Sequence, residues 1–331
     1  MNAIEFAPAT PSDESALIAL WNHTLPGFPM TPRLLEQTLR HDPYFEAGGH
    51  ILARHKASAS VVGWVLSKSM RHAGEEVGRF QNRGGVGALC VVPEFQRRGI
   101  GKYLLARADE HLSSNGSPLT TLYFPHHFLP GVPSECVAAK ALFEQFGCSN
   151  WSEHCDLKRG LSDYALPPEV EATLQREPGV QMRSAREEEQ GALLEFVAEH
   201  FPGAWTYSTR AHFERGQSAR DFIIAVEDGE IIGFCHVADS SSTWLIPSTY
   251  WFPALADARG AGWGGLGPIG MSRAVRGRGL GLALCARSVQ ELKERGVGQM
   301  AIDWTSLLSF YGKLGFEVWK RYLQDERGKV T

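Results

Sequence analysis

The pattern of apolar and polar positions predicts the same succession of elements twice along the chain. Each copy opens with a short extended segment and an amphipathic helix, "ESALIALWN" in the first and "QGALLEFVAEH" in the second. Two strands follow, "HILARHK" and "VVGWVLSKS" in the first copy, "DFIIAVED" and "EIIGFCHVA" in the second. Asp228-Gly229 separates the last two and is typical of a hairpin turn.

A glycine-rich turn then precedes a long amphipathic helix in both copies. The first is "EFQRRGIGKYLL" and the second "RAVRGRGLGLAL", so that Gln96 aligns with Arg276 and Gly99 with Gly279. A strand, a helix and a terminal strand close each copy. We therefore predict two tandem α/β domains, residues 1–159 and 180–331, each a mixed sheet with helices on both faces. The stretch 160–179, rich in proline and charge, is predicted to be a linker.

The composition argues against several classes of protein. The 331 residues carry a net charge of −4, which gives no sign of a broad nucleic-acid surface. The sequence has neither a run of about 18 apolar residues nor a secretory N-terminus, so we expect a cytoplasmic protein without a membrane span. The six cysteines form no CxxC pair and are expected to be reduced thiols. His126 and His127 have no carboxylate pattern beside them, so we predict no metal site.

The glycine turns are suited to holding a phosphate. A Rossmann fingerprint belongs to the first βαβ unit and has a third glycine, where this chain has Leu104 and Leu284. A Walker loop ends in Gly-Lys-Ser/Thr, which neither copy supplies. Backbone N–H groups at a helix N-terminus can instead hold a pyrophosphate, and Arg97, Arg98 and Arg278 add positive charge. A bare helix cap is the alternative interpretation of a single turn; two copies at one topological place favour a ligand.

The stretches "CVVPEFQRRGIGKYLL" and "GMSRAVRGRGLGLAL" resemble motif A of the GCN5-related N-acetyltransferases, and "FYGKLGF" resembles their motif B. The resemblance covers nearly the whole chain as two copies and implies acetyl-CoA as the donor. It places the pantetheine arm and the pyrophosphate on residues of both copies. For the arm these are Leu89, Cys90, Val91, Ile269, Gly270 and Met271; for the pyrophosphate they are Gln96, Arg97, Arg98, Gly99, Ile100, Gly101, Lys102, Arg276, Gly277, Arg278, Gly279, Leu280, Gly281 and Leu282.

The resemblance also implies that Tyr311, in the "FY" of motif B, protonates the leaving thiolate. Phe143 stands at that place in the first copy and has no proton to give, so we predict catalysis in the second half. Asp303, at the end of "MAIDWT", is the candidate base; capping the next helix with Thr305 and Ser306 is its alternative role. Tyr311 has the alternative role of a half-buried packing aromatic.

The acceptor is predicted to be the primary amine of a small molecule. Trp205, Tyr207 and Trp251 are candidates for the walls of its pocket, although packing explains such aromatics equally well. Some tandem members of the family act on amino sugars, which favours glucosamine or a glucosaminide. A non-catalytic acyl-CoA sensor and catalysis in the first half remain open. We expect a monomer, as a pseudo-dimer of two halves, or a homodimer.

Overall fold

The computed structural model describes residues 2–71, 81–117, 119–121, 128–256, 260 and 262–325. Helices and strands alternate through both halves, which confirms the predicted α/β class. The first half contains β1 (Ile4–Pro8), α1 (Glu14–Thr24), α2 (Pro32–Leu39), β2 (Phe45–His55), β3 (Val61–Ser69), β4 (Gly84–Val91), α3 (Ile100–Ser114), β5 (Leu119–Thr121), β6 (Val132–Pro133), α4 (Val137–Gln145) and β7 (Trp151–Gly160).

The second half repeats this order after one additional helix, and without a counterpart of β6 among the described residues. It contains α5 (Pro168–Arg176), β8 (Val180–Ser184), α6 (Gln190–His200), α7 (Ala204–Glu214), β9 (Phe222–Glu227), β10 (Glu230–Asp239), β11 (Gly262–Met271), α8 (Leu280–Glu294), β12 (Val297–Thr305), α9 (Leu308–Gly312) and β13 (Glu317–Asp325). The predicted turn at Asp228-Gly229 joins β9 to β10, and both residues take positive φ angles.

Two compact units divide the described chain, and each has its own sheet and core. The first unit's sheet has the order β1-β2-β3-β4-β5, antiparallel as far as β4 and parallel between β4 and β5. The second unit's strands follow the order β8-β9-β10-β11-β12-β7, with only the β11–β12 pair parallel. In the second unit α8 packs its buried face, with Leu284 and Val289 fully covered, against this sheet.

The terminal strands do not stay with the units that the sequence predicts. The first unit consists of residues up to His154 and of the described residues from Arg321 onward, and the second begins at Cys155. Accordingly Cys155–Gly160 of β7 pairs with β12, whereas Leu323 of β13 pairs with Val132. The predicted domains at 1–159 and 180–331 therefore differ from the compact units by an exchange of terminal strands.

The stretch predicted as a linker is part of the second unit. Leu161, Tyr164 and Val170 are buried in its core, and α5 packs against α8. Tyr164 donates its hydroxyl to the carbonyl of Ala286 at 2.9 Å. The prolines that indicated a linker stand instead at the start of α5, where a missing N–H costs nothing.

Candidate active site

The two glycine turns adopt the same backbone conformation. Gly99 and Gly279 both have φ of 83°, and they directly precede α3 and α8. Two residues earlier, Arg97 has φ of 60° and Gly277 has φ of 83°. Left-handed angles of this kind favour glycine, so Arg97 is held in a conformation that most side chains avoid. Each turn therefore leads into a helix of 15 residues whose first N–H groups are available to an anion.

One charged side chain of the second turn, that of Arg278, is engaged by protein carboxylates. The guanidinium of Arg278 donates to Glu177 at 3.0 Å and to Glu227 at 2.7 Å. Those two carboxylates raise the pKa of Arg278 above its usual range through their hydrogen bonds. The predicted contribution of Arg278 to phosphate binding thus competes with two carboxylates, and the backbone N–H groups are the better candidates. In the first turn Gln96 donates to the carbonyl of Val91 at 2.9 Å, and Arg98 lies over the ring of Phe95.

A gap opens between β11 and β12 next to the second turn. Their parallel pairing ends at Leu266 and Ile302. Beyond that point Ile269, Gly270 and Met271 pair with β10, whereas Thr305 pairs with β7. The facing edges of β11 and β12 are therefore not joined by a ladder pairing among the described residues. Such an edge can bind an extended chain with amide groups as if it were an added strand.

Asp303 lies at this gap. Its Oδ1 atom is 3.3 Å from the position that a Cβ on Gly267 would occupy, and Gly267 has φ of 135°, a conformation that side chains rarely adopt. Burial and, secondarily, the negative charge of Asp156 raise the pKa of Asp303 to about 8. The alternative capping role belongs to Thr305, whose Oγ1 accepts the N–H of Leu307 at 3.0 Å before α9 begins.

Tyr311 lies on α9 and is only 6% exposed. Its ring is 5.0 Å from that of Phe310 and belongs to the core formed with α8. Burial, together with the nearby Cys285, raises the pKa of Tyr311, so the phenol remains protonated at neutral pH. The charge of Asp303 adds to this rise, which shows that the two candidate catalytic groups lie within electrostatic range of each other.

The described residues beside β4 in the first unit are mainly apolar. The described pairing of β4 with β5 joins Gly84 to Leu119 and Gly85 to Thr121. A cavity beside β4 is lined by Ala88, Leu89 and Phe143, all apolar. Cys90, predicted to hold the pantetheine arm, is buried, and burial raises the pKa of its thiol above the usual range.

The predicted acceptor aromatics fall into different environments. Trp205, at the first turn of α7, is 37% exposed, and Tyr207 is half-buried. Trp251 is 3% exposed and belongs to the interior, so the structure favours its packing role. The positions of aromatic residues in the sequence do not separate pocket residues from core residues, because both environments contain the same side chains.

Phe201 and Ser248 are site candidates that the sequence did not single out. A Cβ at Gly270 would collide with the Phe201 ring, which lies 5.2 Å from the ring of Trp205. The buried hydroxyl of Ser248 has no hydrogen-bond partner among the described residues, and its turn packs against β11 and β12. No sequence motif marks either residue. The nearest signal was the pair Trp205 and Tyr207, which follows "FPGA" and was predicted to line the acceptor pocket.

The described residues lack two other kinds of feature. They contain no cluster of three His, Cys, Asp or Glu side chains arranged to hold a metal ion. Within the same ranges no helix has the length and hydropathy needed to cross a membrane. His126 and His127 lie outside the described residues.

Comparison with known proteins places this geometry in a family. The model of the acetyltransferase (GNAT) family matches the chain twice, at residues 17–127 and 188–316. The chain belongs to the acetyltransferase (GNAT) family. This match confirms the family, the tandem fold and the class of enzyme, an N-acetyltransferase, that the sequence predicted. Acetyl transfer is the activity of the family.

Individual relatives agree with this assignment. A mycothiol acetyltransferase from Thermobispora bispora is 28% identical over 251 residues, which cover 70% of this chain and 72% of that protein. A GCN5-related glucosamine N-acetyltransferase region of a fungal multi-domain GH3 β-N-acetylglucosaminidase superposes with a TM-score of 0.84 at 25% identity. That match covers 97% of this chain but only 38% of the fungal one. A tandem GNAT protein from the clavulanic acid biosynthesis pathway shares the fold, with a TM-score of 0.60 and 20% identity over 99% of this chain.

GNAT proteins use an acyl-CoA donor, and two features of the second half fit one. The turn before α8 offers helix N–H groups to a pyrophosphate. The gap between β11 and β12 offers a strand edge to the amide groups of a pantetheine arm. The assignment of individual residues to these contacts stays a prediction.

Proposed function

We propose that the second half transfers an acetyl group from acetyl-CoA directly to the primary amine of a small acceptor, in a ternary complex in the cytoplasm. The observation that carries the proposal is the placement of Asp303 and Tyr311. Both belong to the unit that contains the gap, and the negative charge of Asp303 contributes to the raised pKa of Tyr311. The bound donor would supply the thioester acyl group. None of the six cysteines, all of which lie in the described residues, forms a disulfide, and reduced thiols fit a reducing compartment.

Asp303 is the proposed general base. An amine attacks only after it loses a proton, and a carboxylate whose pKa lies near the working pH accepts that proton efficiently. With a pKa raised to about 8, Asp303 is mostly protonated at pH 6 and mostly ionised at pH 9. Its position 3.3 Å from the Cβ site of Gly267 places the carboxylate where β11 and β12 separate.

Tyr311 is the proposed general acid. Its buried phenol keeps a proton on Oη throughout the neutral range and can donate it to a departing thiolate. Phe143, buried beside the cavity of the first unit, lacks this hydroxyl. The difference supports catalysis in the second half and, in the first half, binding of an acyl-CoA without transfer.

An amino sugar is the proposed acceptor. The exposed face of Trp205 is suited to the C–H face of a sugar ring, and Phe201 packs beside it. The hydroxyl of Ser248 offers a buried polar contact of the kind that a sugar hydroxyl requires. A glucosamine N-acetyltransferase region is among the similar proteins, which supports an acceptor of this class.

A thiol-release assay tests the proposal. Free CoA is measured after mixing acetyl-CoA with glucosamine, a glucosaminide, spermidine or a short peptide. N-acetylglucosamine is the matched control, because its amine is already blocked. We expect release with glucosamine or the glucosaminide and background release with the control. Binding of CoA with no release for any amine would favour the sensor, and release with spermidine or the peptide alone would refute the amino-sugar assignment.

A further inference from the structure

Strand β7 brings a buried carboxylate into the second unit. Asp156 is 3% exposed and lies in Cys155–Gly160, the part of β7 that pairs with β12. The sequence assigns this residue to the end of the first half, far from any predicted site. An ionised carboxylate that is buried must be compensated by hydrogen bonds or must perform a function.

The pairing of β7 with β12 contains a bulge at this residue. Ile302 pairs with Leu157 and Thr305 with Cys155, so that Asp303 and Trp304 together face Asp156. Trp304 has φ of 42°, which is rare for a bulky residue. Its N–H donates to Oδ1 of Asp156 at 3.0 Å. Asp156 thus holds the irregular backbone of Trp304 in place.

The bulge decides where Asp303 points. In a regular strand, residues alternate between the two faces, whereas a bulge can re-aim one side chain, and bulges recur beside active sites for that reason. Here the Oδ1 atom of Asp303 reaches the Cβ site of Gly267 on the neighbouring strand β11.

We propose that Asp156 is a positioning residue of the second-half site: it fixes the bulge that presents Asp303 to the gap, and it holds a negative charge beside that carboxyl. This inference rests on the proposed function, in which Asp303 accepts a proton from the acceptor amine. The first half therefore supplies, through its last strand, a residue that the second half needs for catalysis.

The negative charge of Asp156 acts on Asp303 from β7 and raises its pKa. The charge of Asp303 in turn raises the pKa of Tyr311 on α9, to which Cys285 of α8 and Cys235 of β10 also contribute. The neighbouring position on β11 is Gly267, which has no side chain. Removal of the Asp156 charge should make Asp303 easier to ionise, because a negative charge beside a carboxyl opposes its ionisation.

Two substitutions in the full-length chain separate the roles of Asp156. Asp156→Asn keeps an oxygen that accepts the Trp304 N–H but removes the charge. We expect the rising limb of kcat/KM against pH to move about one unit toward acid, with the plateau within about threefold of the parent. Asp156→Ala removes the acceptor as well, and we expect kcat to fall about 10- to 100-fold with little change in the KM for acetyl-CoA. Asp163→Asn, which removes an 80% exposed carboxylate nearby in sequence, is the matched control and should change nothing.

The outcomes are distinguishable. An unshifted pH profile in Asp156→Asn would overturn the role of the charge, and parent-like kcat in Asp156→Ala would overturn the role of the bulge. Melting curves identify any variant that fails to fold; because Asp156→Asn retains the hydrogen-bond acceptor, it decides the matter if Asp156→Ala unfolds. Asp303→Asn tests the proposed function separately: if it keeps full activity, Asp303 is not the base, whatever the Asp156 variants do.

Discussion

Substitution of Asp303 by asparagine should strongly reduce turnover and stabilise the protein. Burial and Asp156 raise the pKa of this carboxyl from 3.8 to about 8 in the folded chain, while the unfolded chain keeps the ordinary value. Between these pH values the unfolded state has lost a proton that the native state still holds. The free energy of unfolding contributed by Asp303 is therefore fully present below about pH 4 and is lost as the pH rises toward 8. Asparagine cannot ionise, so the variant avoids this loss.

The structure also gives the size of the effect. One pKa unit corresponds to about 1.4 kcal/mol, so the shift at Asp303 sets a ceiling of about 5–6 kcal/mol. Because Asp303 is half-buried and an asparagine amide must itself be accommodated, we expect about 2–4 kcal/mol at pH 8. The advantage of the variant should grow from pH 5 to pH 8 and level off above that.

Urea unfolding followed by tryptophan fluorescence measures this directly. The parent, Asp303→Asn and the exposed control Asp163→Asn are compared at pH 5, 6, 7, 8 and 9, and turnover is measured on the same samples. Turnover of Asp303→Asn should fall by about 10²–10⁴-fold. A parent protein more stable than Asp303→Asn at pH 8, or a difference that does not vary with pH, would refute the reasoning.

Four further predictions concern other residues of the two halves. Tyr311→Phe keeps the ring but not the proton, so turnover should fall about 10²–10⁴-fold while the KM for acetyl-CoA stays constant; unchanged turnover would remove Tyr311 from the acid role. Gly279→Glu should abolish transfer and Gly99→Glu should not, because transfer is proposed for the second half; the opposite result would place catalysis in the first half. Both glycines have φ of 83°, but a side chain at Gly279 would also approach Thr173, so melting curves must show that both variants fold. Trp205→Ala should raise the acceptor KM about fivefold and leave the donor KM unchanged, as steady-state kinetics would show. Lys68→Met removes the ion-pair partner of the buried Asp42 carboxylate and should lower the free energy of unfolding by about 3–5 kcal/mol, as measured in urea. A decrease below about 1 kcal/mol would contradict a buried ion pair there.

Local features of the sequence predicted the repeated part of this structure well. The glycine turns, the helices after them and the hairpin at Asp228-Gly229 all depend on residues close together in the chain, so a single sequence contains their signals. The matching φ angles at Gly99 and Gly279 follow from the same local pattern.

The exchange of terminal strands could not be predicted in the same way. The segments "NWSEHCDL" and "FEVWKRYL" have similar apolar patterns, and either can complete a sheet that ends at β12. Only the pairing register reveals that Asp156 faces Asp303 and Trp304. The role of Asp156 is therefore invisible to sequence reasoning, because it depends on contacts between positions about 150 residues apart.

The exchange of terminal strands also bears on how such a duplicated chain can change over time. If Tyr311 acts as proposed, the first copy, with Phe143 at that place, lacks the acid and could be deleted without loss of that group. Deletion of residues 1–160 would however remove β7 and expose the edge of β12 that β7 covers, which could then pair with other chains. The first half therefore has a structural role in the second unit through β7, whatever it binds.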